Sequence, residues 1–266
     1  MTIKDCVGEK GLCGILVYGD SSGAFVGGEV ILNKDTENST TEAGSALAIF
    51  GGSLYVSSST IFANSQYYGA PVKVANSASL NFADGFEYKK INESDFTTSD
   101  CNDGDQWINM EYLNLTTSAN KITAGISETD TNSTDFALVL GKHSDDDAEQ
   151  ESMRGALYIS GNSSIYGVVD LFFKSSIGVT GVITSGETIK VKFEEIGSYT
   201  ANVDGDYPLF WAAGSDRENA NKSNAENIPN LFSVYGNSGY AIGASGRYVQ
   251  YAVGENNGNT IYAPVK

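Results

Sequence analysis

The sequence predicts an all-β chain, specifically a parallel β-helix in which short strands stack coil upon coil and a C-terminal segment caps the stack. Three observations carry this expectation. Few windows repeat apolar residues at i, i+3, i+4 and i+7, and Gly, Ser, Thr and Asn interrupt almost every candidate helix. Short β-favouring runs recur instead, each punctuated by Gly, Asn or Ser. One of these runs is a repeat: Gly52-Ser-Leu-Tyr-Val-Ser-Ser-Ser-Thr-Ile-Phe62 aligns with Gly155-Ala-Leu-Tyr-Ile-Ser-Gly-Asn-Ser-Ser-Ile-Tyr166 after a single gap.

Taken in order, the expected strands begin with Ile15-Leu-Val-Tyr18, Glu29-Val-Ile-Leu32, Leu47-Ala-Ile-Phe50, Leu54-Tyr-Val56, Val72-Lys-Val74 and Ser79-Leu-Asn-Phe82. Later ones are Phe136–Leu140, Leu157–Ile159, Val168–Phe173, Ile177–Ile183 and Thr188–Phe193. The last alternates strictly, with Ile189, Val191 and Phe193 on one face and Lys190 and Lys192 on the other, the pattern of a half-buried strand. Gly14-Ile-Leu-Val-Tyr18 followed by Ser21-Ser-Gly-Ala-Phe25 is a looser third copy of the repeat. Two short strands joined by a tight polar corner suit a solenoid coil. A β-sandwich would favour longer strands and hairpin turns, and the chain has a single Asn-Gly, at Asn257-Gly258.

The Gly-[Ser/Ala]-Leu-Tyr-[Val/Ile]-Ser segments, with Ser59-Thr-Ile-Phe-Ala-Asn64 after the first, resemble the degenerate repeats of bacterial surface β-helix proteins of the polymorphic outer-membrane and autotransporter-passenger type. Val168 to Val191 is similar to the closing coils of spirochaete-type repeat proteins, and Asn230 to Val249 is compatible with their ending. The resemblance implies a right-handed β-helix displayed at a cell surface and no catalytic residue. Residues 1–198 are expected to form the helix, with insertions at 87–106 and 142–153, and residues 199–266 the last coils and cap. A cap would cover what is otherwise a free sheet edge.

The chain has 266 residues, enough for a sizeable core. Its net charge of −17 repels phosphate backbones and anionic membranes, which excludes nucleic acid as a partner. Only 18% of residues are charged, so Gly, Ser, Thr and Asn must supply much of the surface. The opening Met1-Thr-Ile-Lys-Asp-Cys has no signal-peptide pattern, so an exported form is expected to be a trimmed piece. No apolar run reaches the length of a spanning helix. Cys6, Cys13 and Cys101 are too few for a disulfide framework, and a Cys6–Cys13 bridge and unpaired thiols both remain open.

No residue stands out as a catalyst. The lone His143 beside Asp145-Asp-Asp147 reads as a solvated loop, and no serine-nucleophile elbow accompanies it. Calcium is the one metal the composition suits, because Asp103 with Asp105, Asp145 with Asp147, and Asp204 with Asp206 offer hard oxygen ligands. Asp100 to Glu111 fails as an EF-hand, since Asp105 stands where the turn glycine belongs. Tyr67, Tyr68, Tyr240 and Tyr248 lie in polar settings and are candidate stacking residues for a sugar or a protein partner.

The expected function is therefore a non-enzymatic surface or secreted adhesin, or a structural passenger. It needs no cofactor and meets a host or neighbouring-cell protein or glycan. The alternatives are a carbohydrate-active β-helix, which would need two carboxylates facing one groove, and a calcium-stabilised surface-layer component.

Overall fold

The structure is a computed structural model that describes residues 2–4, 7–8, 14–31, 34–35, 46–57, 59–64, 70–83, 120–125, 130–142, 153–172, 174–194, 196, 209–211, 228–249 and 259–265. It is all-β and built mostly from parallel sheets. Numbered in chain order, β1 (Thr2–Lys4), β5 (Glu29–Ile31), β9 (Thr60–Asn64), β12 (Asn120–Gly125) and β15 (Ser163–Tyr166) form a five-stranded sheet. A seven-stranded sheet contains β3 (Ile15–Tyr18), β7 (Leu47–Phe50), β10 (Val72–Ala75), β13 (Phe136–Leu140), β16 (Val168–Leu171), β18 (Ile189–Phe193) and β20 (Phe232–Val234). An eight-stranded sheet runs β4 (Ser22–Val26), β8 (Ser53–Ser57), β11 (Ala78–Phe82), β14 (Gly155–Gly161), β17 (Ser176–Ile183), β19 (Leu209–Trp211), β22 (Asn259–Val265) and β21 (Ala241–Val249). A small pair joins β2 (Val7–Gly8) to β6 (Lys34–Asp35).

From β7 to β15 the chain visits the seven-, eight- and five-stranded sheets in turn, so each of β7 to β14 pairs in parallel with the strand three places on in the numbering. Parallel pairing aligns like with like. One inward row of the seven-stranded sheet reads Ile15, Leu47, Val72, Leu138, Val169, Val191 and Val234, and its neighbour reads Val17, Ile49, Val74, Leu140, Leu171 and Phe193. The eight-stranded sheet contributes Leu54, Leu80, Leu157, Ile177 and Leu209 in one row, and Phe25, Val56, Phe82, Ile159 and Val179 in another. Ile3, Val30, Ile61, Ile122 and Ile165 come from the five-stranded sheet. All these rows meet in one hydrophobic core.

Their interior members are almost completely buried, whereas Ile3, Ile15, Val17 and Val234, at the ends of the rows, are only half-buried. Each fully buried Leu, Ile or Phe contributes roughly 1.5–3 kcal/mol. The strict alternation expected of Thr188–Phe193 holds: Ile189, Val191 and Phe193 are buried, while Lys190 and Lys192 are partly exposed. Corners between strands are tight. At the turn from β7 to β8, Gly52 has φ +70°, and a Cβ there would lie 1.9 Å from the carbonyl oxygen of Ser21 in the preceding corner.

The repeat units fall into register. Leu54, Tyr55 and Val56 sit two strands from Leu157, Tyr158 and Ile159 with β11 between them, and Ile61 and Phe62 stand in the same relation to Ile165 and Tyr166. The loose third copy is shifted by one sheet. Ile15–Tyr18 belongs to the seven-stranded sheet and it is Ser22–Val26 that pairs with β8, because the spacing of apolar residues does not say which sheet a short strand joins.

Parallel stacking continues through β19 and β20, the latter preceded by the short helix α1 (Ile228–Leu231), whose Ile228 is buried. Then β22 pairs antiparallel with both β19 and β21. The eight-stranded sheet thus ends in an antiparallel pair. Of the expected insertions, 87–106 lies outside the described residues, as do 143–152 of the second. Among the described residues no helix is long and apolar enough to cross a membrane.

Candidate functional site

The corner leading into the five-stranded sheet is polar yet fully buried. Asn120 Oδ1 accepts from the Ser59 backbone N–H at 3.1 Å, and its Nδ2 donates to Ser163 Oγ at 3.3 Å. Ser163 Oγ donates to the Ser160 carbonyl at 2.7 Å, with the Phe82 carbonyl also within reach at 3.2 Å, and Ser59 Oγ donates to the Ser57 carbonyl at 2.7 Å. These side chains bridge neighbouring strands by satisfying backbone groups that the corner would otherwise bury unpaired. Their role is structural.

Chemistry, if any, belongs on the outer faces, and these differ. On the seven-stranded sheet the middle of the outward row, Ala48, Lys73, Val139 and Asp170, is at least 96% buried, whereas Leu16 at its start is 48% exposed. On the five-stranded sheet the outward residues Ile31, Phe62 and Thr123 are also buried, while Thr2 and Glu29 are exposed. The outer face of the eight-stranded sheet is open. There Ser22, Ala24 and Tyr55 are exposed, and Ser53, Ser79, Asn81, Ala156, Tyr158, Ser160, Ser176 and Thr180 are partly so.

A charged cluster closes the row on the seven-stranded sheet. Asp170 and Lys192 are register partners, with Lys192 Nζ 3.6 Å from Asp170 Oδ1. The same ammonium donates to Glu194 Oε1 and lies 5.2 Å from the centre of the Phe136 ring. Next to it, Lys190 donates to the Ser133 carbonyl at 3.0 Å.

Asp170 Oδ1 has no hydrogen-bond partner. Burial therefore raises its pKa from the ordinary 3.8 to about 7; the Lys192 charge opposes that rise and Glu194 adds to it. For Lys192, burial disfavours the charge, but the hydrogen bond to Glu194 and the attraction of Asp170 outweigh it and hold the pKa above the usual lysine value. The cluster thus holds a carboxyl that exchanges its proton near neutrality. Two carboxyl groups converge on one lysine, rather than flanking a groove as glycoside hydrolysis requires.

A stability profile follows. Between about pH 4 and pH 7 the native state keeps a proton on Asp170 that the unfolded chain has released, so stability falls as pH rises through that window and levels off above it. The slope is at most about 1.4 kcal/mol per pH unit for one proton. Urea unfolding of the wild type and of Asp170→Asn across pH 4–8 should give a difference that changes over this window. Parallel profiles would overturn the assignment.

Most sequence-expected site residues lie outside the described residues: Asp103, Asp105, Asp145, Asp147, Asp204, Asp206, Tyr67, Tyr68, His143 and the three cysteines. Tyr240 is half-buried just before β21, its backbone N–H donating to the Asn237 carbonyl at 3.4 Å. Tyr248 stands in β21 opposite Thr260 of β22. Among the described residues no three His, Cys, Asp or Glu side chains converge as a metal site.

The Asp170 cluster and the Tyr55–Tyr158 row were not anticipated from the sequence. The repeated Leu-Tyr-[Val/Ile] does carry a signal for the latter, since a tyrosine between two core residues of a strand must point outward. Compared with protein-family models, curated proteins and solved structures, the chain matches none of them.

Proposed function

We propose that the chain is a right-handed parallel β-helix serving as a non-enzymatic scaffold, secreted or displayed at a cell surface, that presents side chains and loops to a protein or glycan. The carrying observation is the set of inward aliphatic rows that run through consecutive parallel strands in all three sheets. Such rows are what stacked coils require, because no coil can bury its apolar face alone. The handedness follows from the general preference of parallel crossovers. The polar, sparsely charged outer rows of the eight-stranded sheet suit a passive display surface. Residues 87–106 and 142–153, which interrupt the rhythm of the sequence, are the segments proposed to meet a partner.

Calorimetric titration of neutral and acidic polysaccharides into the purified chain, with and without calcium, tests the reading. Saturable heat, or none, is the expected result. Continuous heat with product release would overturn the non-enzymatic reading and favour a carbohydrate-active β-helix. A melting temperature that falls on chelation would instead favour the calcium-stabilised surface-layer reading.

A further inference from the structure

The open face of the eight-stranded sheet has a composition unlike the rest of the chain. Its outward positions on β4, β8, β11, β14 and β17 hold no Asp, Glu, Lys or Arg, in a protein of net charge −17. One outward row reads Ser22, Ser53, Ser79, Ala156 and Ser176, and the next reads Ala24, Tyr55, Asn81, Tyr158 and Gly178. The hydroxyls of Ser22 and Ser53 lie 3.1 Å apart, so the serine row forms a track of hydrogen-bonding groups along the stack. Tyr55, 43% exposed, and Tyr158 flank Asn81 in the adjacent row.

We propose that this face binds a neutral, extended β-1,4-linked polysaccharide lying across the strands, with alternate sugar rings against Tyr55 and Tyr158. The inference deepens the passive-scaffold reading and rests on it. Two strand spacings separate the tyrosines, about 9.6 Å, close to the disaccharide repeat of a flat β-1,4-linked chain. Aromatic faces take the apolar C–H faces of sugar rings, while Asn81 and the serine hydroxyls supply the donors and acceptors that sugar hydroxyls need.

The charge argument selects the neutral class. An anionic glycan would approach a surface with no cationic residue in its outward rows, within the field of a strongly acidic protein. A protein partner would seek a continuous apolar centre, whereas here serine and asparagine separate the rings. In the other two sheets the outward residues Lys73, Val139, Phe62 and Thr123 of the central strands are buried, whereas this face is open along β4, β8, β11 and β14.

The test uses the whole chain and a soluble β-1,4-glucan hexasaccharide as probe, followed by calorimetry, with an α-1,4-glucan hexasaccharide and polygalacturonate as comparisons. The β-1,4 probe should bind and the other two should not. Tyr55→Ala and Tyr158→Ala should each weaken binding roughly tenfold. Tyr55→Phe and Tyr158→Phe, which keep the ring, should stay within about threefold of wild type, and this separates lost stacking from lost folding. Preference for polygalacturonate, or alanine variants that bind like wild type, would overturn the proposal. So would absence of binding to the β-1,4 glucan; the scaffold reading would then survive with a protein partner. Release of reducing ends would instead overturn the scaffold reading itself.

Discussion

Leu157→Ala is expected to lower the unfolding free energy by about 3–5 kcal/mol. Leu157 is fully buried, with Leu80 on one neighbouring strand and Ile177 on the other, and all three belong to the common core. Truncation removes the side chain from between two neighbouring strands at once. The parallel strands above and below are held by their own backbone hydrogen bonds and cannot collapse into the gap. The urea midpoint measures the loss.

Hydrogen exchange should locate it, with protection falling first in β11, β14 and β17, because β11 and β17 are the strands that pair with β14 on either side. Ser79→Ala on the open outer face, one strand away, should stay within about 0.5 kcal/mol. Equal losses in the two variants would contradict the assignment of Leu157 to the core and Ser79 to the surface.

Gly52→Ala should be comparably damaging through a different mechanism. Its φ of +70° costs a side-chain-bearing residue roughly 1–2 kcal/mol. The new Cβ would also meet the Ser21 carbonyl oxygen at 1.9 Å and the Gly19 carbonyl oxygen at 2.8 Å, both backbone atoms of the preceding corner. Backbone cannot rotate away as a flexible side chain does, so the two corners must part locally, at a further cost of about 1–3 kcal/mol.

Gly186→Ala isolates the two contributions. Gly186 has φ +74°, but nothing lies within 4 Å of its Cβ position, so only the conformational cost applies. A thermal or urea series should place Gly186→Ala about 1–2 kcal/mol below wild type and Gly52→Ala clearly lower. Coincident curves would mean that the corners do not stack as closely as this geometry requires.

Much of the fold is legible in the residues because a strand's two-residue period is local. Ile189, Val191 and Phe193 alternating with Lys190 and Lys192 specify a half-buried strand without reference to anything else. The Leu54-Tyr-Val56 and Leu157-Tyr-Ile159 repeat places two strands in one register. Between them, Leu80 and Phe82 of Ala78-Ser-Leu-Asn-Phe82 complete the inward rows although the tyrosine is replaced by Asn81. The slip of Ile15–Tyr18 by one sheet shows the limit of that reading. A strand of four residues carries the same alternation whichever sheet it joins, and only its partners decide.

The functional surface was less legible than the fold. Searching for tyrosines in polar settings led to Tyr67, Tyr68, Tyr240 and Tyr248, whereas the exposed row runs through Tyr55 and Tyr158, whose immediate neighbours are core residues. A polar neighbourhood in sequence is a weak guide when alternate residues point to opposite faces. Asp170 was hidden for a related reason. In Val168-Val-Asp-Leu171 it looks like an ordinary outward carboxylate, and its proton affinity comes from its burial and from the nearby Glu194, against the opposing charge of Lys192 on the next strand.

By itself, the sequence determined the β class, the short strands, the inward face of Thr188–Phe193 and the repeat, since all of these depend on the period of two and on turn chemistry within a few residues. The tertiary structure decided which sheet each strand entered, which outer faces were covered, and which distant residues came to stand side by side. Those choices set the environment of Asp170 and the spacing of Tyr55 from Tyr158, because both arise from contacts between strands that are remote along the chain.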